Sequence, residues 1–245
     1  MATPAIATAQ GWSASSDSAS PLSSLESMST MARFAAGHPI YLIGSPADFW
    51  YRILSGACRM CAYGFDGNRQ IVDFLRPGDF FGYDAQIVHS FSTEALVSGT
   101  TVAVYPRRSA ERVADSDPQV ARRIREMAFS SVFRVQSRLL ILGRATALEK
   151  VGSFLFEMVD RFRTRLVGPV TLPMSRYDIA DYLAMATETV SRALTNLREQ
   201  GVIRFENVRC LQIRDRESLE NVCRGSMSES GPMSTMKLYR RSGIA

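Results

Sequence analysis

Glu188, Ser191 and Arg192 stand at positions i, i+3 and i+4 of the stretch ATETVSRALTNLREQGVIRF, residues 186–205. A helix over that stretch carries all three on one face, and Val190, Leu194 and Leu197 form an apolar stripe on the other. In the first turns of a helix such a polar set can address the edges of base pairs. Arg192 donates bidentately to guanine O6 and N7, Glu188 accepts from cytosine N4 and steadies the arginine, and Ser191 with Thr187 meets thymine. The competing reading is an ordinary surface ion pair between Glu188 and Arg192, worth about 0.3 to 0.5 kcal/mol. Spacing alone leaves the two readings close.

The elements that must position this face separate them. PMSRYDIADYL opens with Ser175 at a helix N-cap and Asp178 three residues on, a capping-box spacing, with Ile179 and Leu183 on the buried side. A short Ala-Met-Ala turn follows, after which Thr187 is expected to cap a second helix that runs to Gln200 and stops at Gly201. VIRFENVRCLQIRD then reads as two short strands around Glu206-Asn207. Two helices joined by a tight turn and backed by a hairpin make a winged helix-turn-helix, and that context favours DNA over a solvated ion pair.

Upstream, DPQVARRIREMAFSSVFRVQSRLLILGRA reads as one long helix opened at Asp115 to Asp117, with Pro118 in its first turn. Ala128, Val132, Val135, Leu139 and Leu142 step by 4, 3, 4 and 3 residues, the seam of a two-stranded coiled coil, and Ile124 extends it by one step. Such a stripe more often packs a helix on its own domain. A helix of this length joining two domains has little of its own chain beside it throughout, which favours a homodimer. No charged residue interrupts the seam from 128 to 142, so the dimer is expected to form without a ligand.

After Gly143, TALEKVGSFLFEMVDRF is a further amphipathic helix. Before the long helix, short apolar runs alternate with Gly37, Gly44, Gly56, Gly67, Gly78 and Gly82, the strand-and-turn texture of an antiparallel barrel or roll. The predicted organisation is α+β: a disordered Ser/Ala/Thr-rich arm over 1–30, an antiparallel β-roll over 31–115, a dimerisation helix over 116–143, a winged helix-turn-helix domain over 144–224 and a flexible tail over 225–245.

Composition bounds the rest. The 245 residues are 46% apolar, enough for two cores, which excludes a disordered or fibrous chain. No run of about 18 apolar residues occurs and no signal-peptide order opens the chain, so a soluble, cytoplasmic protein with no membrane partner is expected. Net charge is +5, and 27 of the 29 cations are arginine. A GC-rich codon bias accounts for this more readily than phosphate and guanine contacts do, although arginine would suit both contacts. Cys58 and Cys61 lie three apart in a predicted strand, on opposite faces, which disfavours a shared metal or a disulfide. With two histidines, no phosphate loop and no nucleophile beside a base, an enzyme is not expected.

SRYDIADYLAMATETVSRALTNLREQGVI resembles the DNA-binding signature of the Crp/Fnr superfamily of bacterial transcription regulators, and Glu-Thr-Val-Ser-Arg over 188–192 is similar to its Fnr and FixK branch. The cyclic-AMP receptor branch usually has an arginine where Thr187 stands and a glycine where Ser191 stands. FDGNRQIVDFLRPGDFFGYDA resembles the family's cyclic-nucleotide-binding-like roll, and the likeness covers about residues 31 to 224. It implies that Thr187, Glu188, Ser191 and Arg192 read a TTGAT…ATCAA palindrome, that Ser175, Arg176 and Thr189 touch phosphates, and that the bound homodimer recruits RNA polymerase as an activator.

Two departures bear on control. Cyclic-nucleotide binders follow the roll's glycine with a glutamate and later present an Arg-Ser pair, whereas this chain has GYDAQIVHSFST with His89-Ser90 and no arginine. Iron–sulfur Fnr proteins carry a cysteine group near the N-terminus, and residues 1 to 57 contain no cysteine. No cofactor is therefore expected, and the chain resembles the FixK type, whose targets include genes of microaerobic respiration, denitrification or nitrogen fixation. The alternative is an effector-gated regulator, responding to a small molecule, haem or thiol redox state through Cys58, Cys61, Cys210 or His89.

Overall fold

The computed structural model describes residues 23–64, 67–144, 146–163 and 168–224. It divides into two compact units whose boundary falls between Ser131 and Val132.

The first unit is a two-sheet β-roll. It opens with helix α1 (Ser23–Glu26), then strands β1 (Thr30–Phe34), β2 (Pro39–Tyr41), β3 (Phe49–Ser55), β4 (Cys58–Tyr63), β5 (Arg69–Leu75), β6 (Phe80–Phe81), β7 (Ser92–Ala95) and β8 (Thr100–Pro106). One sheet runs β1-β8-β3-β6 and the other β2-β7-β4-β5, with every pairing antiparallel. Strand alternation sorts the side chains. Tyr51, Ile53 and Val102 enter the core between the sheets with Ile40, Tyr41, Cys58, Leu75 and Phe81. Trp50, Ala103 and Tyr105 from the same strands pack instead with Leu25, Phe80, Ala110 and Val120. Gly56 makes the β3–β4 turn at φ 87°, where an added Cβ would lie 2.4 Å from Thr100 Oγ1 and 2.8 Å from its Cα, so the backbones meet there only because the side chain is absent.

The predicted arm over 1–30 is corrected at its C-terminal end. Residues 1–22 lie outside the described residues, but α1 is helical, Leu25 is buried and Glu26 pairs with Arg52 at 2.7 Å. A four-residue helix with one buried side chain leaves no period to detect in sequence. The stretch read as roll over 31–115 ends in a helix and not a strand, since α2 (Arg107–Ser116) is helical and buries Ala110. Asp117 breaks that helix with extended dihedrals, and α3 (Pro118–Arg144) starts behind it. Ile124, placed on the dimer seam by spacing, is half-buried and packs against the Leu25–Trp50–Val120 cluster of its own unit. Cys58 and Cys61, expected on opposite faces of their strand, are both buried, and Cys58 belongs to the core between the sheets. Burial pushes the Cys58 thiol up to about 12, which leaves it unreactive.

The second unit holds the C-terminal part of α3, α4 (Ala147–Phe162), β9 (Val170–Thr171), α5 (Arg176–Leu183), α6 (Thr187–Glu199), β10 (Ile203–Phe205), β11 (Cys210–Ile213) and α7 (Arg216–Arg224). A capping box starts α4: Thr146 Oγ1 accepts from Glu149 N, and Thr146 N donates to Glu149 Oε2 at 2.7 Å. Val151, Phe154, Leu155, Met158 and Val159 make α4 the centre of this core. At Gly152 an added Cβ would stand 3.0 Å from Val222 Cγ1, so the glycine sets how closely α7 approaches. The hairpin β10–β11 gains β9 as a third antiparallel strand. Neither β9 nor α7 was anticipated from sequence. Among the described residues no helix is long and apolar enough to cross a membrane. The tail over 225–245 lies outside the described residues.

Candidate nucleic-acid interface

The site begins with the capping box expected of α5. Ser175 N and Oγ both donate to Asp178 Oδ2, at 2.8 and 2.7 Å, and Ser175 Oγ accepts from Asp178 N at 3.1 Å. The hydroxyl is thereby engaged inside the helix start, so Ser175 reaches a phosphate only by turning its proton away from Asp178. Arg176, next in line, is exposed, and its side chain has no hydrogen bond or ion pair among the described residues.

Ala184 closes α5 in the left-handed region at φ 51°, with its N–H on Ala180 O, and Met185 N reaches the same carbonyl at 3.0 Å. The chain turns there and enters α6. The residue before α6 is Ala186, which makes no side-chain cap, and Thr187 is the first helical residue rather than the cap assigned to it. After the reversal at Ala184 and Met185 the helix starts one place earlier than spacing implied.

Along α6 the two faces separate as the period requires. Val190, Ala193, Leu194 and Leu197 are buried, and Ala193 is an addition to the predicted stripe. Arg192 Nη2 donates to Glu188 Oε1 at 2.6 Å while their side chains remain 79% and 73% exposed. An exposed pair of this kind adds little to stability. What it provides is a guanidinium already oriented, with donors left over for an acceptor outside the protein. Thr187, Thr189 and Ser191 are half-buried beside it, and none makes a side-chain hydrogen bond among the described residues. The structure thus joins Glu188 to Arg192 directly and leaves the three hydroxyls unengaged.

Sequence spacing passed over the arginines of the wing. Arg204 on β10 and Arg209 in the turn before β11 are both exposed with no acidic partner among the described residues. Asn207 Oδ1 accepts from Arg209 N at 3.0 Å and from Cys210 N at 2.8 Å, fixing the hairpin tip that carries Arg209. An arginine on each side of an Asx turn was the available signal.

A two-sheet roll, a long helix and a winged helix-turn-helix with an outward polar face define a DNA-binding transcription regulator of the Crp/Fnr type, and the chain belongs to that family. The Crp-like helix-turn-helix domain model matches residues 149–222 and the cyclic nucleotide-binding domain model residues 31–117. Within the family it falls in the FixK-like branch. It is 40% identical over 212 residues to the nitrogen fixation regulation protein FixK of Azorhizobium caulinodans, covering 85% of each chain. To the FixK of Rhizobium meliloti it is 36% identical over 193 residues, 79% of this chain and 87% of that one. The structure of FixK2 from Bradyrhizobium japonicum superposes with a TM-score of 0.75 at 39% identity, over 79% of this chain and 96% of the other.

The loop after Gly82 does not fit a cyclic phosphate. Between Arg76 and Arg107 the chain has no lysine or arginine. Asp84 stands in that loop, accepting from Ser90 N at 3.0 Å and pairing with His89 Nδ1 at 2.8 Å. Burial acts to raise the Asp84 carboxyl, but the bonds from His89 and Ser90 outweigh it and leave its pKa below the usual value. An anion there would meet a carboxylate. His89 is itself 1% exposed and stacked on Tyr41 at 3.7 Å.

Proposed function

We propose that the chain is a homodimeric, sequence-specific activator that binds a TTGAT…ATCAA palindrome without a ligand and recruits RNA polymerase. Its role would be that of a binder and not of an enzyme. The observation that carries the reading is the Glu188–Arg192 pair, held ready at 2.6 Å and exposed on the first turns of α6 while the opposite face is buried. Thr187 and Ser191 would read bases beside it, and Ser175, Arg176 and Thr189 would meet phosphates. The homodimer is supported by Val132, Val135 and Leu139, all exposed on one side of α3, with Ala128 and Leu142 continuing the row. The likeness to two regulators named for nitrogen fixation supports targets in nitrogen-fixation, denitrification or microaerobic gene control, and a cytoplasmic site of action.

An effector-gated reading rests on one atom. His89 Nε2 is buried without a hydrogen-bond partner among the described residues. With Nδ1–H given to Asp84, Nε2 is an acceptor, and a small donor ligand in the roll would satisfy it.

One measurement separates the two: the affinity of ligand-free, reduced protein for a TTGAT…ATCAA duplex against a scrambled duplex at one stated salt concentration. Selective binding, on the order of 10³-fold or more over the scrambled duplex, is expected of the constitutive dimer. Binding that becomes selective only when an effector is added overturns it in favour of the gated reading.

A further inference from the structure

Arg138 lies in α3 one residue before Leu139 of the exposed apolar row, at a flanking position where coiled-coil side chains usually reach toward the partner helix. Here it turns to its own chain. Its Nη2 donates to the backbone carbonyl of Tyr182, 44 residues away, and its guanidinium carbon sits 4.1 Å from the centre of the Tyr182 ring. Tyr182 is buried, and its ring also meets that of Phe154 on α4 at 5.5 Å.

The chosen carbonyl is informative. The last carbonyls of a helix have no intrahelical donor and carry the negative end of its dipole. At the end of α5, Ala184 N and Met185 N both go to Ala180 O. Tyr182 O, two residues further on, is taken by a cation from α3 instead. Five residues after Tyr182 the chain begins α6, so the bond grips the turn from which the base-reading helix starts.

We propose that Arg138 is a positioning residue that fixes the reading helix relative to the dimer seam, and so sets which separation of half-sites the protein accepts. The proposal rests on the reading of α6 and of the α3 row given above. In a twofold dimer the two α6 helices can meet successive half-sites only if each is held at a set distance and rotation from the shared seam. A single base pair added to the spacer moves one half-site by about 3.4 Å along the axis and turns it about the axis as well. Arg138 bonds to α5 and occupies the same turn of α3 as Leu139, which makes it a direct link between the seam and the turn before α6. Hydrogen bond and ring contact together hold it in both direction and depth, which a lysine's point charge would do less well.

The test measures wild type, Arg138→Met and Arg138→Lys on palindromes whose central spacer is the preferred length or one base pair longer or shorter, with a scrambled duplex alongside. Methionine keeps most of the stem and removes both contacts. Sedimentation is expected to show all three as dimers. Wild type is expected to prefer its own spacer by about tenfold or more, taking each misplaced half-site as at least one mismatched contact. Arg138→Met should compress that preference to under about threefold, with Arg138→Lys between, because binding to the altered spacers suffers least when the heads are loosely held. If Arg138→Met weakens binding to every spacer by one factor, or leaves the preference intact, the residue is structural only and the proposal is overturned. Should the methionine variant not fold, the lysine variant decides on the same ratio. Failure of the underlying reading shows differently: wild type itself would fail to distinguish any palindrome from the scrambled duplex.

Discussion

Arg192 and Arg176 are both exposed arginines near a helix start, yet their surroundings assign them different work. Arg192 is held by Glu188 at 2.6 Å, so its direction is set before any DNA arrives. Arg176 has no such partner among the described residues and offers a mobile charge. A directed guanidinium suits a bidentate contact to a guanine edge, worth about 1 to 3 kcal/mol of discrimination. Arg192→Ala should therefore lower the ratio of specific to scrambled affinity by about tenfold to a hundredfold while the salt dependence changes little. Arg176→Ala should weaken binding evenly across sequences and reduce the salt slope by about one. Binding isotherms at several salt concentrations on matched and scrambled duplexes separate these outcomes, and an Arg192→Ala protein with its specificity ratio intact would show that the reading face lies elsewhere.

At the scale of elements, the loop over 84–91 shows how the roll is closed. Asp84 receives the Ser90 amide and His89 Nδ1, and His89 stacks on Tyr41 of β2. Asp84's folded pKa is depressed, so its contribution is present above the unfolded carboxylate value of about 4 and lost as pH falls through the folded value. Asp84→Asn should cost about 1 kcal/mol at pH 7. The gap from wild type should begin to narrow below about pH 4, as read from urea midpoints at pH 7 and pH 3; a gap unchanged at the lower pH would place the role of Asp84 in shape and not in charge. None of this pairing was legible in sequence, where Asp84 and His89 were only a departure from a nucleotide-binding pattern. Elements whose buried face repeats were legible: the glycine-spaced strands, the stripe of α6 and the Ser175–Asp178 box all stand in the residues themselves. Elements resting on one tertiary contact were not. Leu25 holds α1, two residues make β9 between Pro169 and Pro173, and Gly152 admits α7 by having no side chain. Ile124 shows that the seam spacing runs on to where the helix also meets its own core. The Glu188–Arg192 pair was visible because four residues make one helical turn, whereas Arg138 and Tyr182 are joined only by the fold.

At the scale of the whole molecule, α3 presents a surface that a solitary chain does not explain. Phe129, Val132, Val135 and Leu139 are between 43% and 64% exposed on α3, and Phe129 adds to the row read from spacing. Large apolar side chains in a continuous row along a helix mark a contact with another surface. Val132, Val135 and Leu139 keep the alternating step of 3 and 4, the step by which a helix packs on a copy of itself. Burying such a row in a twofold contact would also set two α6 helices against two half-sites, which a palindrome requires. Leu139→Glu places a carboxylate in that seam twice, once from each protomer, where neither has a cation facing it along the apolar row. The dimer dissociation constant should rise by about a hundredfold or more, corresponding to about 3 kcal/mol, on sedimentation. Because Leu139 is exposed in the single chain, the thermal unfolding of the separated protomer should be nearly unchanged, and the loss would lie in assembly. On DNA the same variant should bind a half-site duplex and a full palindrome almost equally, with a salt slope about half that of wild type, since half the phosphate contacts remain. A Leu139→Glu protein that stayed dimeric and kept its preference for the palindrome would move the twofold contact off this face of α3.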